Sequence, residues 1–160
     1  QALLRSRGIA GSPRVLAAFE DLRRRVLTRH VRWDSLREDV LAMRERMVGE
    51  LAKGTTELFD VKQDPGGITD IEFIVQYLVL REARNHPDLV RWSDNIRQVK
   101  ALVGAGIIPA ATGAELTDIY RDYRQRLHRL SLAGKPGFLP REEARKAIER
   151  VRDTWSQVFA

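Results

Sequence analysis

The chain contains no cysteine, which rules out a disulfide framework, a thiolate metal site and a cysteine nucleophile. Its three histidines, His30, His86 and His128, are scattered and lack the close spacing of a metal-ligand set. No run approaches the ~20 apolar residues needed to cross a bilayer. The most apolar stretch, Ile68 to Leu80, is interrupted by Asp70, Glu72 and Gln76. RNP, KH and zinc-finger patterns are absent. So are an initiator methionine and a signal-peptide shape at Gln1-Ala2-Leu3-Leu4-Arg5, from which we expect a segment of a longer, soluble, cytoplasmic protein.

What is present is the composition of a globular domain: 160 residues, 43% hydrophobic and 31% charged, enough to bury a core. Lys and Arg number 28 against 22 Asp and Glu, a net charge of +6. The signs are mixed along each expected helix. Arg23-Arg24-Arg25 is the only basic run of three, and Glu20 and Asp21 precede it, which reads as a solvated helix face and not as a nucleic-acid patch.

Helical periodicity dominates. Ser12-Pro13 starts a helix with Val15, Leu16, Phe19, Leu22 and Val26 on one face. A second begins near Asp34, with Trp33, Leu36, Val40, Met43 and Met47 as its stripe, and the two suggest an amphipathic hairpin. Leu58 to Lys62 alternates as a short strand. After the turn Asp64-Pro65-Gly66-Gly67, a helix from about Thr69 to Arg84 is apolar on nearly every side, the pattern of a buried central helix. Further helices are expected from Ser93, Thr112 and Pro140, the last two with Leu116, Tyr120 and Tyr123, and with Ala144, Ile148, Val151, Trp155 and Phe159, facing inward. The expected class is all-α, a bundle of about six helices with one short strand.

The segment Asp60 to Phe73 concentrates the chemistry. It joins a strand end, a Gly-Gly turn and a helix start carrying two carboxylates. Free N–H groups at a helix start can hold phosphate oxygens, glycines permit close approach, and carboxylates there can hold Mg²⁺. An architectural reading accounts for the same residues: Thr69-Asp70-Ile71-Glu72 fits a capping box, with acidic groups at the positive end of the helix dipole. If that box forms, Glu72 is occupied and Asp70 is the freer metal candidate.

The run Phe59-Asp60-Val61-Lys62-Gln63-Asp64-Pro65-Gly66-Gly67-Ile68-Thr69-Asp70-Ile71-Glu72-Phe73 and its continuation to Arg81 resemble the family of bifunctional glutamine synthetase adenylyltransferase/adenylyl-removing enzymes, specifically the C-terminal, adenylylating half. Gln1 to Arg7, Arg91 to Arg97, and Leu127-His128-Arg129-Leu130 followed by Pro136-Gly137 agree, in order along the chain. The resemblance implies nucleotidyltransferase domains of the DNA-polymerase-beta type followed by helices. It implies transfer of AMP from ATP to a tyrosine of glutamine synthetase, assisted by Mg²⁺ and regulated by the PII signalling protein. It assigns Asp70 as the catalytic, metal-holding carboxylate; Glu72 at the same helix start is a second metal candidate, and Lys62, Gly66 and Gly67 are the expected nucleotide contacts.

The chain departs from that pattern at one place. Its only Gly-Ser pair, Gly11-Ser12, is followed by Pro13-Arg14-Val15-Leu16-Ala17, without the aspartates of the family's Gly-Ser-x-x-Asp-x-Asp motif. The expectation is therefore that residues 1–67 end the catalytic lobe and carry a helical hairpin, and that residues 68–160 form the C-terminal bundle. The strand at Leu58 pairs either within the chain or, as a remnant of the lobe, with strands upstream of Gln1, and the lobe reading favours the second. Nucleic acid and membrane are not expected partners. The alternative function is a non-catalytic helical module that binds glutamine synthetase or PII.

Overall fold

Seven α-helices and two short strands make up a computed structural model that describes residues 1–160. In chain order they are α1 (Ala2–Arg5), α2 (Pro13–Arg29), α3 (Leu36–Leu51), β1 (Leu58–Asp60), α4 (Ile68–Glu82), α5 (Asn95–Gly104), α6 (Ala110–Leu132), β2 (Phe138–Pro140) and α7 (Arg141–Val158). Single 3₁₀ turns lie at Trp33–Ser35 and Pro87–Arg91. The chain folds as two compact units, one built from Gln1–Arg37 and Val75–Gly113, the other from Glu38–Ile74 and Ala114–Ala160. The apolar character of α4 has the expected consequence: Ile71, Ile74, Val75 and Val79 are wholly buried.

In the first unit, α2 starts where Ser12 and Pro13 place it, with the Ser12 hydroxyl accepting from the Val15 N–H. Its inward face differs from the expected apolar stripe. Arg23 and Leu27 are the buried residues, while Val15 and Leu22 are exposed. The reason is the Arg23 guanidinium. Its Nε donates to the Leu3 carbonyl at 2.8 Å, its Nη2 to Leu4 at 2.8 Å and its Nη1 to Val90 at 2.7 Å. One side chain thus satisfies carbonyls of α1 and of the Pro87–Arg91 turn, on the same face as the half-buried Leu16, Phe19 and Val26. The cap of α5 is Asp94 and not Ser93; its carboxylate accepts from the Arg97 N–H at 3.0 Å. Helix α6 opens at Ala110, ahead of Thr112, because the Pro109 carbonyl already accepts from the Gly113 N–H.

In the second unit the strand has its partner within the chain, which overturns the expectation of a remnant paired upstream. β1 and β2 are antiparallel, with Leu58 opposite Pro140, Phe59 opposite Leu139 and Asp60 opposite Phe138. The Arg141 N–H extends the ladder to the Glu57 carbonyl at 2.8 Å. β1 ends at Asp60, earlier than expected, because the Asp60 carboxylate turns the backbone by accepting from the N–H groups of Lys62 and Gln63. Phe59 is fully buried, its ring centroid 5.8 Å from that of Tyr123. The Tyr123 hydroxyl has no partner, and burial raises its pKa above the ordinary 10.0.

Two stability measurements check these assignments. Arg23→Ala removes a donor from three carbonyls, of which Leu3 keeps the Ser6 N–H, and should cost roughly 2–4 kcal/mol in urea unfolding, whereas Arg25→Ala on the exposed face should cost less than about 0.5 kcal/mol. Tyr123→Phe removes an unsatisfied hydroxyl and should be neutral or slightly stabilising at pH 7. Because the folded phenol titrates above the unfolded one, its contribution is complete below pH 10 and lost as pH rises beyond it, so the alkaline fall in stability should be shallower in Tyr123→Phe.

Candidate functional site

The junction from β1 to α4 is built by backbone economy. The Val61 carbonyl accepts from the Ile68 N–H at 2.9 Å, the Lys62 carbonyl from Thr69 at 3.2 Å, and the Asp64 carbonyl from Gly67 at 2.9 Å. The first N–H groups of α4 therefore close onto the turn that precedes it. Asp64, 4% exposed, holds the turn from the other side. Its carboxylate accepts from the N–H groups of Gly54 and Asp60, and pairs with Arg141 at 2.9 Å.

Gly66 and Gly67 are both buried. Gly66 has φ +94°, a region that favours glycine, and a Cβ there would meet the Ile148 methyl at 2.8 Å and its carbonyl at 3.0 Å. A Cβ on Gly67 would meet the Val61 carbonyl at 2.7 Å. In both cases the close approach that requires glycine is made by the chain to itself. Lys62 is exposed, held by its backbone N–H to Asp60.

Asp70 is 5% exposed. One carboxylate oxygen accepts from the Gly66 N–H at 2.7 Å and the other is ion-paired with Arg44 of α3. Arg44 also donates to the Gln63 carbonyl at 2.8 Å, and its third nitrogen, Nη1, is buried without a partner. The expected capping box does not form. Thr69 lies inside α4, its hydroxyl 3.4 Å from the Gln63 side chain, and Glu72 points away to accept from the Tyr120 hydroxyl at 3.0 Å. Asp70, the freer carboxylate in that reading, is thus held by the turn and by Arg44, and Glu72 is engaged by Tyr120. A cavity of about 410 Å³ adjoins the pair, lined by Arg44, Glu45, Asp70, Arg152, Trp155 and Ser156 among others.

As placed, these side chains do not make a Mg²⁺ cage. Asp70 already faces a cation, Glu72 is turned to Tyr120, and no group of three or more His, Cys, Asp or Glu side chains is suitably clustered. Arg44 is the residue that sequence reasoning missed. The one available signal was its position four residues after Val40 on the inward face of α3, where an apolar residue would be expected.

Asp70→Asn keeps the shape but leaves the Arg44 guanidinium buried and uncompensated. We expect a loss of roughly 3–5 kcal/mol by denaturant unfolding. The loss should shrink when Arg44→Met is added, a coupling that a double-mutant cycle measures directly.

The sequence profile of the GlnD PII-uridylyltransferase family matches residues 35–136, which include the whole β1–α4 junction. A bifunctional glutamine synthetase adenylyltransferase/adenylyl-removing enzyme of Hahella chejuensis is 43% identical over 165 aligned positions, covering 100% of this chain and 17% of its own length. Proteins of the same description from Thioalkalivibrio sulfidiphilus and Pasteurella multocida are 42% and 39% identical over 99% of the chain and 16% of theirs. The chain therefore spans about a sixth of the curated relatives it matches. It belongs to the GlnD PII-uridylyltransferase family and is homologous to a segment of the bifunctional glutamine synthetase adenylyltransferase/adenylyl-removing enzymes.

Proposed function

We propose that the chain is part of a nucleotidyltransferase that moves AMP from ATP to a tyrosine of glutamine synthetase, and that it derives from the adenylylating half. The observation that carries the transferase reading is the 39–43% identity, along essentially the whole chain, to enzymes of that description, while the choice of half rests on the resemblance of the run Phe59 to Arg81. ATP and Mg²⁺ are the co-reactants, glutamine synthetase the substrate, PII the regulatory partner and the cytoplasm the location in this proposal. No helix is long and apolar enough to cross a membrane.

Within this reading the resemblance gives Asp70 and Glu72 to the metal, and Lys62, Gly66 and Gly67 to the nucleotide. The geometry supports a different division of labour. Asp70 holds the Gly66 N–H and the Arg44 guanidinium, so it sets the turn from which α4 departs. Lys62 is the one member of the set whose side chain is exposed to solvent and able to reach a phosphate.

The test uses the full-length enzyme. Asp70→Asn there, as a lost metal ligand, would lower kcat by orders of magnitude and raise the Mg²⁺ requirement with the fold intact. As a positioning residue, it lowers the melting temperature and leaves the Mg²⁺ dependence unchanged, which is the outcome we expect. Gly67→Val should impair AMP transfer more than AMP removal; impairment confined to removal would place the chain in the other half. The 160-residue chain alone should show a cooperative helical melt but no AMP transfer, and measurable transfer would overturn this account.

A further inference from the structure

The first unit carries a groove of about 630 Å³ that the proposed chemistry does not use. Its lining is Arg24, Thr28 and Arg29 from α2, Trp33 from the following 3₁₀ turn, and Arg84 and Pro87 beyond α4. None of these residues belongs to the Asp60–Glu72 junction. The groove is basic. Several exposed arginines of the chain sit beside carboxylates, as in Arg25–Asp21, Arg126–Asp122, Arg145–Glu142 and Arg150–Glu115. In the groove three guanidinium groups face one carboxylate, Asp88, which stands 3.5 Å from Arg24 and is 94% exposed. Arg29 and Arg84 have no carboxylate partner.

The groove is also fixed in shape. The Trp33 indole N–H donates to the Leu80 carbonyl at 3.1 Å, which locks the ring. The Arg84 guanidinium lies 5.7 Å from the centre of that ring, held by its π face and not by an acid. Arg24 and Thr28 share a helix face at i, i+4, and the Thr28 hydroxyl donates to the Arg24 carbonyl at 2.8 Å. Three guanidinium groups sharing one exposed counter-charge repel one another, and a multiply charged anion relieves that repulsion while matching their paired N–H donors. The volume suits a small molecule.

We propose that this groove binds the phosphate groups of a small polyphosphate-bearing molecule, through Arg24, Arg29 and Arg84 beside Trp33. The ligand is an inorganic polyphosphate or a nucleotide; both present the same chemistry.

The experiment follows the Trp33 indole N–H in ¹H–¹⁵N spectra of the full chain during titration with inorganic tripolyphosphate, ATP and citrate at one ionic strength. A saturable shift of that resonance is expected with tripolyphosphate. Arg29→Ala and Arg84→Ala should each weaken binding about tenfold, while Arg25→Ala on the same helix leaves it unchanged. Arg84→Lys keeps the charge but not the paired donors and should fall between. Tighter binding of ATP than of tripolyphosphate identifies a nucleotide site, and equal binding an inorganic one; both support the proposal. It is overturned by the absence of a saturable shift, by equal weakening in Arg25→Ala, by citrate binding as tightly as tripolyphosphate, or by single-stranded RNA binding far more tightly than either.

Discussion

The second unit depends on a buried charge pair, Arg44 with Asp70. An ionised carboxylate and a guanidinium withdrawn from water are each costly, and each is tolerable because the other is present. The pair also spreads its hydrogen bonds over neighbouring backbone. Asp70 takes the Gly66 N–H and Arg44 takes the Gln63 carbonyl, so three parts of the chain are brought to one place: α3, the turn and the first residues of α4. The turn can then be glycine-rich without being loose. Its conformation is set by groups packed against it: the Val61, Asp64 and Ile148 carbonyls, and the Asp64 carboxylate with its own arginine, Arg141.

The first unit solves a related problem with an arginine but without an acid in the same role. Arg23 is bound chiefly to three carbonyl oxygens, with Glu20 a distant and half-exposed companion at 3.5 Å. A guanidinium suits this task because its five donors lie in one plane and can serve several acceptors at once. Both units thus use a buried arginine as a connector between segments far apart in sequence. The exposed arginines are different in kind: several pair with a carboxylate on the same helix turn, whereas Arg29 and Arg84 beside Trp33 do not.

The β1–β2 ladder shows why sheet pairing is harder to read than helices. Each strand has three residues, and they are separated by α4, α5 and α6. No turn signal connects them, and Pro140 at the end of β2 argues against a strand when the sequence is read locally. β1 was legible because Phe59 and Val61 alternate with polar neighbours. Its partner was not, because the pairing is a matter of which surfaces meet.

Periodicity in the sequence determined the helical class, the position of most helices, the burial of α4 and the inward faces of α6 and α7. Each of these follows from apolar spacing within one element. The sequence also marked Asp60 to Glu72 as the distinctive segment. Tertiary structure decided what those residues do. A carboxylate near a helix start is equally suited to a cap, a metal or an arginine, and only the arrival of Arg44 from α3 and of Tyr120 from α6 settles the partners of Asp70 and Glu72. The same holds for α2, where the carbonyls of Leu3, Leu4 and Val90 bring Arg23 onto the buried face. Local pattern records what a side chain can bind, and long-range packing determines which partner reaches it.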